Sequence, residues 1–175
     1  VARLKKASRI ELFGCGTAYH ACLYGREVLE RLTGIPCRAL PSGEAEELRF
    51  SGKDTFSVFV TQSGETADTL RVLNESKKKG AYTLAVTNCE GSSSAMAADG
   101  RLFLRAGAEI AVAATKSYCS QLLALWLLAK AAEGSGGEED SVASLIAACK
   151  SALALPLPSL RREREKLFFI GKGLD

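Results

Sequence analysis

The sequence predicts an α/β fold with a parallel sheet covered on both faces, and two observations carry the prediction. Short apolar or β-branched runs recur at "RIELF" (9–13), "FSVFV" (56–60), "YTLAV" (82–86) and "RLFLR" (101–105), with a weaker fifth strand at "CRAL" (37–40). Segments of helical character lie between most of them, over roughly 17–33, 44–49, 65–79, 115–132 and 139–150. Such alternation builds βαβ units, whose crossover helices cover a parallel sheet.

Each element has a local reason. Gly34 closes the first helix and Gly80 the third, where Lys77, Lys78 and Lys79 suit the negative end of the helix dipole. That basic run therefore reads as a solvated helix end. The helix over 115–132 is apolar around much of its circumference, which calls for burial in the core or against a partner. Gly and acidic residues in "AAEGSGGEED" (131–140) mark a turn to the last helix, and Pro156 and Pro158 end the helical region. The final stretch, "KLFFIGKGLD" (166–175), echoes "ELFGCGT" (11–17): each is an apolar strand leading to Gly-x-Gly. Either the echo is chance or a second copy of a repeat begins there. On the repeat reading, residues 1–155 form one domain and 156–175 a linker with the start of another.

Composition narrows the function classes. With 175 residues, 47% hydrophobic and 25% charged, the chain can bury a substantial core. No apolar run approaches the roughly 20 residues of a membrane helix, and "VARLKKASRI" at the start lacks the apolar core of an export signal. A cytoplasmic protein without membrane association is expected. Cysteines 15, 22, 37, 89, 119 and 149 form no C-x-x-C pair, so they are expected to be reduced and mostly buried. A net charge of +3 is too mild to imply nucleic acid. A single histidine, His20, cannot build a zinc cage; no metal or other cofactor is expected, and His20 reads as structural.

Ligands of open parallel sheets bind outside the carboxyl ends of the strands. Three stretches fall there. In "GCGTAYH" (14–20), two glycines allow a tight strand-to-helix turn; the third glycine of a dinucleotide fingerprint is missing, with Tyr19 in its place. In "TQSGETADT" (61–69), Thr61, Ser63 and Thr66 offer hydroxyls and Gln62 an amide, beside the N–H groups of a helix start. Such a terminus holds a phosphate without any lysine. The bland alternative makes Ser63 a helix N-cap. Glu65, which would repel a phosphate, is expected to point away. In "GAEIAVAATKS" (107–117), Glu109 and Lys116 are either polar contacts or a solvated rim.

"CGTAYH", "SGETADTL", "TNCEGSS" and "AEIAVAATKSYCSQ", in this order and spacing, resemble the sugar isomerase (SIS) domain of glutamine–fructose-6-phosphate aminotransferases, over about residues 10–130. "FFIGKGLD" resembles the opening of that family's second SIS subdomain. The resemblance implies a flavodoxin-like, three-layer αβα sandwich with a five-stranded parallel sheet, acting as a dimer. It implies sugar-phosphate contacts at Thr17, Ala18, Thr61, Gln62, Ser63, Thr66 and near Val112, with fructose 6-phosphate or glucosamine 6-phosphate as ligand. The family usually has serine where this chain has Ala18 and Thr61. Its catalytic glutamate, histidine and lysine belong to the second subdomain and tail, so this chain is expected to be a sugar-phosphate-binding half site, incomplete for catalysis alone. A non-catalytic phosphosugar-sensing module, or a two-SIS isomerase or deglycase without a glutaminase domain, are the alternatives.

Overall fold

A computed structural model of the protein describes residues 1–45, 52–110, 114–134 and 138–156. By internal contacts the chain divides into two compact units, Val1–Ser135 and Gly136–Asp175. The first unit contains five strands, β1 (Arg9–Gly14), β2 (Cys37–Pro41), β3 (Thr55–Thr61), β4 (Tyr82–Thr87) and β5 (Gly100–Phe103). Its helices are α1 (Thr17–Thr33), α2 (Ala67–Lys78), α3 (Ser93–Ala97) and α4 (Lys116–Glu133). In the second unit, α5 (Glu138–Leu153) is described, with Leu145 and Ile146 exposed on it.

All strand pairs are parallel, in the order β2-β1-β3-β4-β5. The apolar runs explain that order: every residue of β3 is buried, as are five of six in β1 and β4, whereas β2 and β5 are only partly covered and sit at the edges. Side chains alternate between the faces. Ile10, Leu12, Val58, Val60 and Val86 pack with α1 and α4 through Ala21, Val28, Leu29, Leu125 and Ala129. Phe13 and Phe59 face the other way, onto Val72 and Leu73 of α2. These two phenylalanines are register partners whose rings stack with centroids 5.1 Å apart. Truncating either to alanine is expected to cost roughly 3–5 kcal/mol. Three layers result, with the sheet in the middle.

The expected elements are present with shifted ends. α2 begins at Ala67 rather than 65, and β5 stops at Phe103, with Arg105 in a left-handed conformation (φ 52°). α3 was not expected. Of the helix expected over 44–49, Glu44 closes a short 3-10 turn (Ser42–Glu44), and 46–49 lie outside the described residues. The echo at 166–175 lies outside them as well. Lys77 and Lys78 occupy the last turn of α2 before Gly80, as the solvated helix end requires, and Lys77 pairs with Asp99 at 3.1 Å. The cysteine expectation needs correction: all are free thiols, but Cys89, Cys119 and Cys149 are exposed and only Cys22 is fully buried. Burial pushes the Cys22 thiol up, and that of Cys37 to about 12. No described helix is long and apolar enough to cross a membrane.

Candidate functional site

From β1 the chain moves outward to β2, then crosses back to β3 and continues to β4 and β5. The strand order therefore reverses between β1 and β3, where an open sheet leaves a crevice at its carboxyl edge. A cleft of about 190 Å³ lies there. The turn after β1 contributes Cys15, Thr17 and Ala18, and the turn after β3 contributes Thr61, Gln62, Ser63 and Thr66. Glu109, Ala114 and Gln121 come from the loop before α4 and from α4 itself.

The first turn is tight because Gly14 has no side chain: a Cβ there would lie 2.7 Å from the Ala18 carbonyl carbon. Thr17 is exposed and Ala18 only 7% so.

The second turn is an internally bonded unit. Thr61, buried at the end of β3, accepts the Gly64 N–H at 3.2 Å and shares a hydrogen bond with the Thr66 hydroxyl at 3.2 Å. Ser63 Oγ accepts the Glu65 N–H at 3.2 Å, so Ser63 shapes the turn and is not the N-cap; that position belongs to Thr66, without a side-chain bond. Gly64 adopts φ +74°, and any Cβ would collide with Ser92. Its carbonyl accepts both the N–H (3.0 Å) and the hydroxyl of Ser94. The Gln62 carbonyl is held by Asn88 N–H at 3.1 Å and Thr87 Oγ1 at 3.3 Å, while its side chain lines the cleft. The first i→i−4 bond of α2 runs from Leu70 N–H to Thr66 O at 3.0 Å. The N–H groups of Ala67, Asp68 and Thr69 precede it and have no partner within the helix.

Two carboxylates near the cleft, Glu65 and Glu109, are tied to other helices, while Asp68 stands exposed in the first turn of α2. Glu65 is exposed and does not line the cleft, as expected; its carboxylate accepts the Ser93 N–H at 2.7 Å at the start of α3, which holds it below the usual carboxylate range. Glu109 Oε2 accepts the Ser117 N–H at 3.0 Å, the Ser117 hydroxyl at 2.7 Å and the Thr115 N–H at 3.3 Å. Those bonds, the Ser117 N–H foremost, hold Glu109 ionised to lower pH than usual. Lys116 is exposed and does not line the cleft. His20 is exposed and also outside it, its ring 5.9 Å from that of Tyr19.

Six of the seven site residues expected from sequence thus meet at one cleft; the seventh, Val112, lies outside the described residues. Gln121 was missed. Its signal was available: it falls four residues after Ser117 on the buried stripe of an apolar helix, where an amide is out of place. Among the described residues no group of three His, Cys, Asp or Glu is placed to hold a metal ion. Chemically, the cleft offers hydroxyls, amides and an open helix end to a small anionic, polyhydroxylated ligand.

A five-stranded parallel sheet in this order, with a hydroxyl-lined turn at its reversal, defines an α/β domain of flavodoxin-like build, a class whose ligands bind at the carboxyl edge. The family model for the SIS domain matches residues 3–131, and the chain belongs to that family. It is 39% identical over 191 residues to the glutamine–fructose-6-phosphate aminotransferase of Clostridium tetani, covering 99% of this chain and 31% of that protein. It is 47% identical over 127 residues to the corresponding enzyme of Halobacterium salinarum, covering 71% of this chain and 21% of the other. The chain therefore spans at most about a third of the length of these curated relatives. Among solved structures, it resembles the C-terminal domain of glucosamine–fructose-6-phosphate aminotransferase from Francisella tularensis, with a TM-score of 0.73, 29% identity and coverage of 86% of this chain and 44% of the other. A glucosamine-6-phosphate deaminase from Thermotoga maritima matches with a TM-score of 0.69 and 27% identity, covering 77% of this chain and 43% of that one.

Proposed function

We propose that this chain binds the phosphate of a hexose phosphate, fructose 6-phosphate or glucosamine 6-phosphate, as the first SIS domain of an isomerising aminotransferase. Residues 1–155 form that domain, and 156–175 a linker with the start of a second. One observation carries the reading: the turn after β3 lines the cleft with Gln62, Ser63 and Thr66 at the amino end of α2. Helix N–H groups and hydroxyls together solvate a phosphate dianion, and the helix dipole favours its charge. Thr17 and Ala18 contact the sugar, and Thr61, whose hydroxyl accepts the Gly64 N–H, braces the turn from beneath.

The relatives' names supply the reaction, isomerisation of the sugar coupled to amination. Moving a hydrogen between two sugar carbons needs a positioned base. Glu109, the carboxylate lining this cleft, is engaged in capping α4. In this reading the base comes from elsewhere in the longer enzyme. The proposed protein is cytoplasmic and a homodimer; the exposed Leu123 and Leu127 of α4 support the dimer, and sedimentation showing only monomer at high concentration counts against it.

The test is calorimetric titration of the chain with glucosamine 6-phosphate, against glucosamine and inorganic phosphate. Binding of the phosphosugar with no binding of glucosamine is expected. Ser63→Ala, which removes a hydroxyl facing a charged group, is expected to weaken it about tenfold or more. Equal affinity for glucosamine would refute the phosphate cradle.

A further inference from the structure

Gln121 is an unusual core residue. It lies on the inward stripe of α4 with Ser117, Ala124 and Leu125, and only 1% of it is exposed. Buried side-chain amides are almost always hydrogen-bonded, yet its Oε1 has no partner. Turning the amide over only exchanges an orphaned acceptor for an orphaned donor at that position. For packing alone, an apolar side chain of similar volume would serve better. The same residue lines the cleft, on a different element from the hydroxyl turn, with Glu109 and Ala114 near it on the chain's third approach to the site.

We infer that Gln121 is a ligand-contacting residue that hydrogen-bonds a hydroxyl of the bound sugar, so that the cleft distinguishes a phosphosugar from bare phosphate. The inference rests on the proposed phosphosugar binding. A sugar hydroxyl both donates and accepts, and so satisfies whichever amide atom meets it; a phosphate dianion only accepts. The last torsion of a glutamine side chain is broad, which lets either amide atom turn toward the cleft. Recognition is then divided: the amino end of α2 reads charge, and α4 reads the polyol. Sites built to bond a hydroxyl reject ligands that lack it, because the buried partner stays unpaired.

The experiment compares the wild-type chain with Gln121→Met and Gln121→Leu, titrating glucosamine 6-phosphate and inorganic phosphate and recording thermal melting without ligand. The expected result is a loss of about tenfold in affinity for the phosphosugar, unchanged affinity for phosphate, and a melting temperature equal to or above that of wild type. Methionine, close to glutamine in volume, covers the case in which leucine disturbs the core. A parallel loss for both probes, an unchanged phosphosugar affinity, or a lower melting temperature with selectivity intact would overturn the inference. If the wild-type chain binds neither probe, the proposed function itself falls, and the inference with it.

Discussion

Two helices begin near the same cleft, and they treat their amino ends in opposite ways. At α4 the protein supplies its own anion: the Glu109 carboxylate takes the N–H groups of Thr115 and Ser117. At α2 no side chain caps the first turn, and the nearby carboxylate of Glu65 is drawn off to Ser93. Both ends carry the same partial positive charge. The end of α4 is bonded by a carboxylate of the chain itself, whereas that of α2 carries Asp68 in its first turn but has no side-chain bond from its N-cap residue, Thr66. On the proposed reading, anion binding follows less from having a helix terminus than from which terminus lacks a side-chain cap.

The two helix starts differ most at the glycines that precede them. Gly64 and Gly107 both adopt positive φ, +74° and +73°, but a Cβ at Gly64 would strike Ser92 while one at Gly107 meets nothing within 4 Å. Gly64→Ala is expected to cost roughly 2–5 kcal/mol, combining left-handed strain with overpacking, and to abolish phosphosugar binding. Gly107→Ala is expected to cost only about 1–2 kcal/mol, from strain alone. Chemical denaturation of both variants checks the difference, and equal costs would mean that the α2 turn is no more constrained than its counterpart.

Glu109→Gln is expected to have a smaller effect, at the start of α4. With the internal carboxylate gone, the end of α4 no longer repels a phosphate, and affinity for inorganic phosphate is expected to rise roughly two- to fivefold. The variant should also alter the acid response. The folded-state pKa of Glu109 lies below its unfolded value of about 4.3. Its contribution to stability is therefore complete above that value and is lost as pH falls through the lower, folded one. Melting temperatures followed from pH 6 to about pH 3 should decline less steeply in the variant. Glu65 retains its own dependence in the same direction, so the slope does not vanish. An unchanged slope would remove Glu109 from the account.

Much of this was legible in the sequence, for physical reasons that differ by element. β1, β3 and β4 read correctly because strands buried on both faces must be nearly continuous apolar runs. The position of the hydroxyl turn at the end of β3 and beside the cleft was legible because a glycine and polar residues directly after an apolar run mark where a strand stops. The start of α2 was placed two residues early because an acidic residue favours a helical first turn, whereas Glu65 spends its carboxylate on α3. α3 itself was illegible: "SSSAMA" is too short and too polar to show helical periodicity, and the helix is organised by contacts with Gly64 and Glu65 from a distant part of the chain. Gln121 was hidden by its setting, since a single amide in "SQLLALWLLA" does not disturb the apolar reading.

That small helix has a further consequence. Through Ser93 and Ser94 it fastens the turn after β3 at Glu65 and at the Gly64 carbonyl, and Thr87 and Asn88 fasten it again at Gln62. The turn is thus shaped before any ligand arrives. A receptor that needs no ordering step retains the entropy such a step consumes, and its association rate is set by encounter and orientation in place of a slow rearrangement.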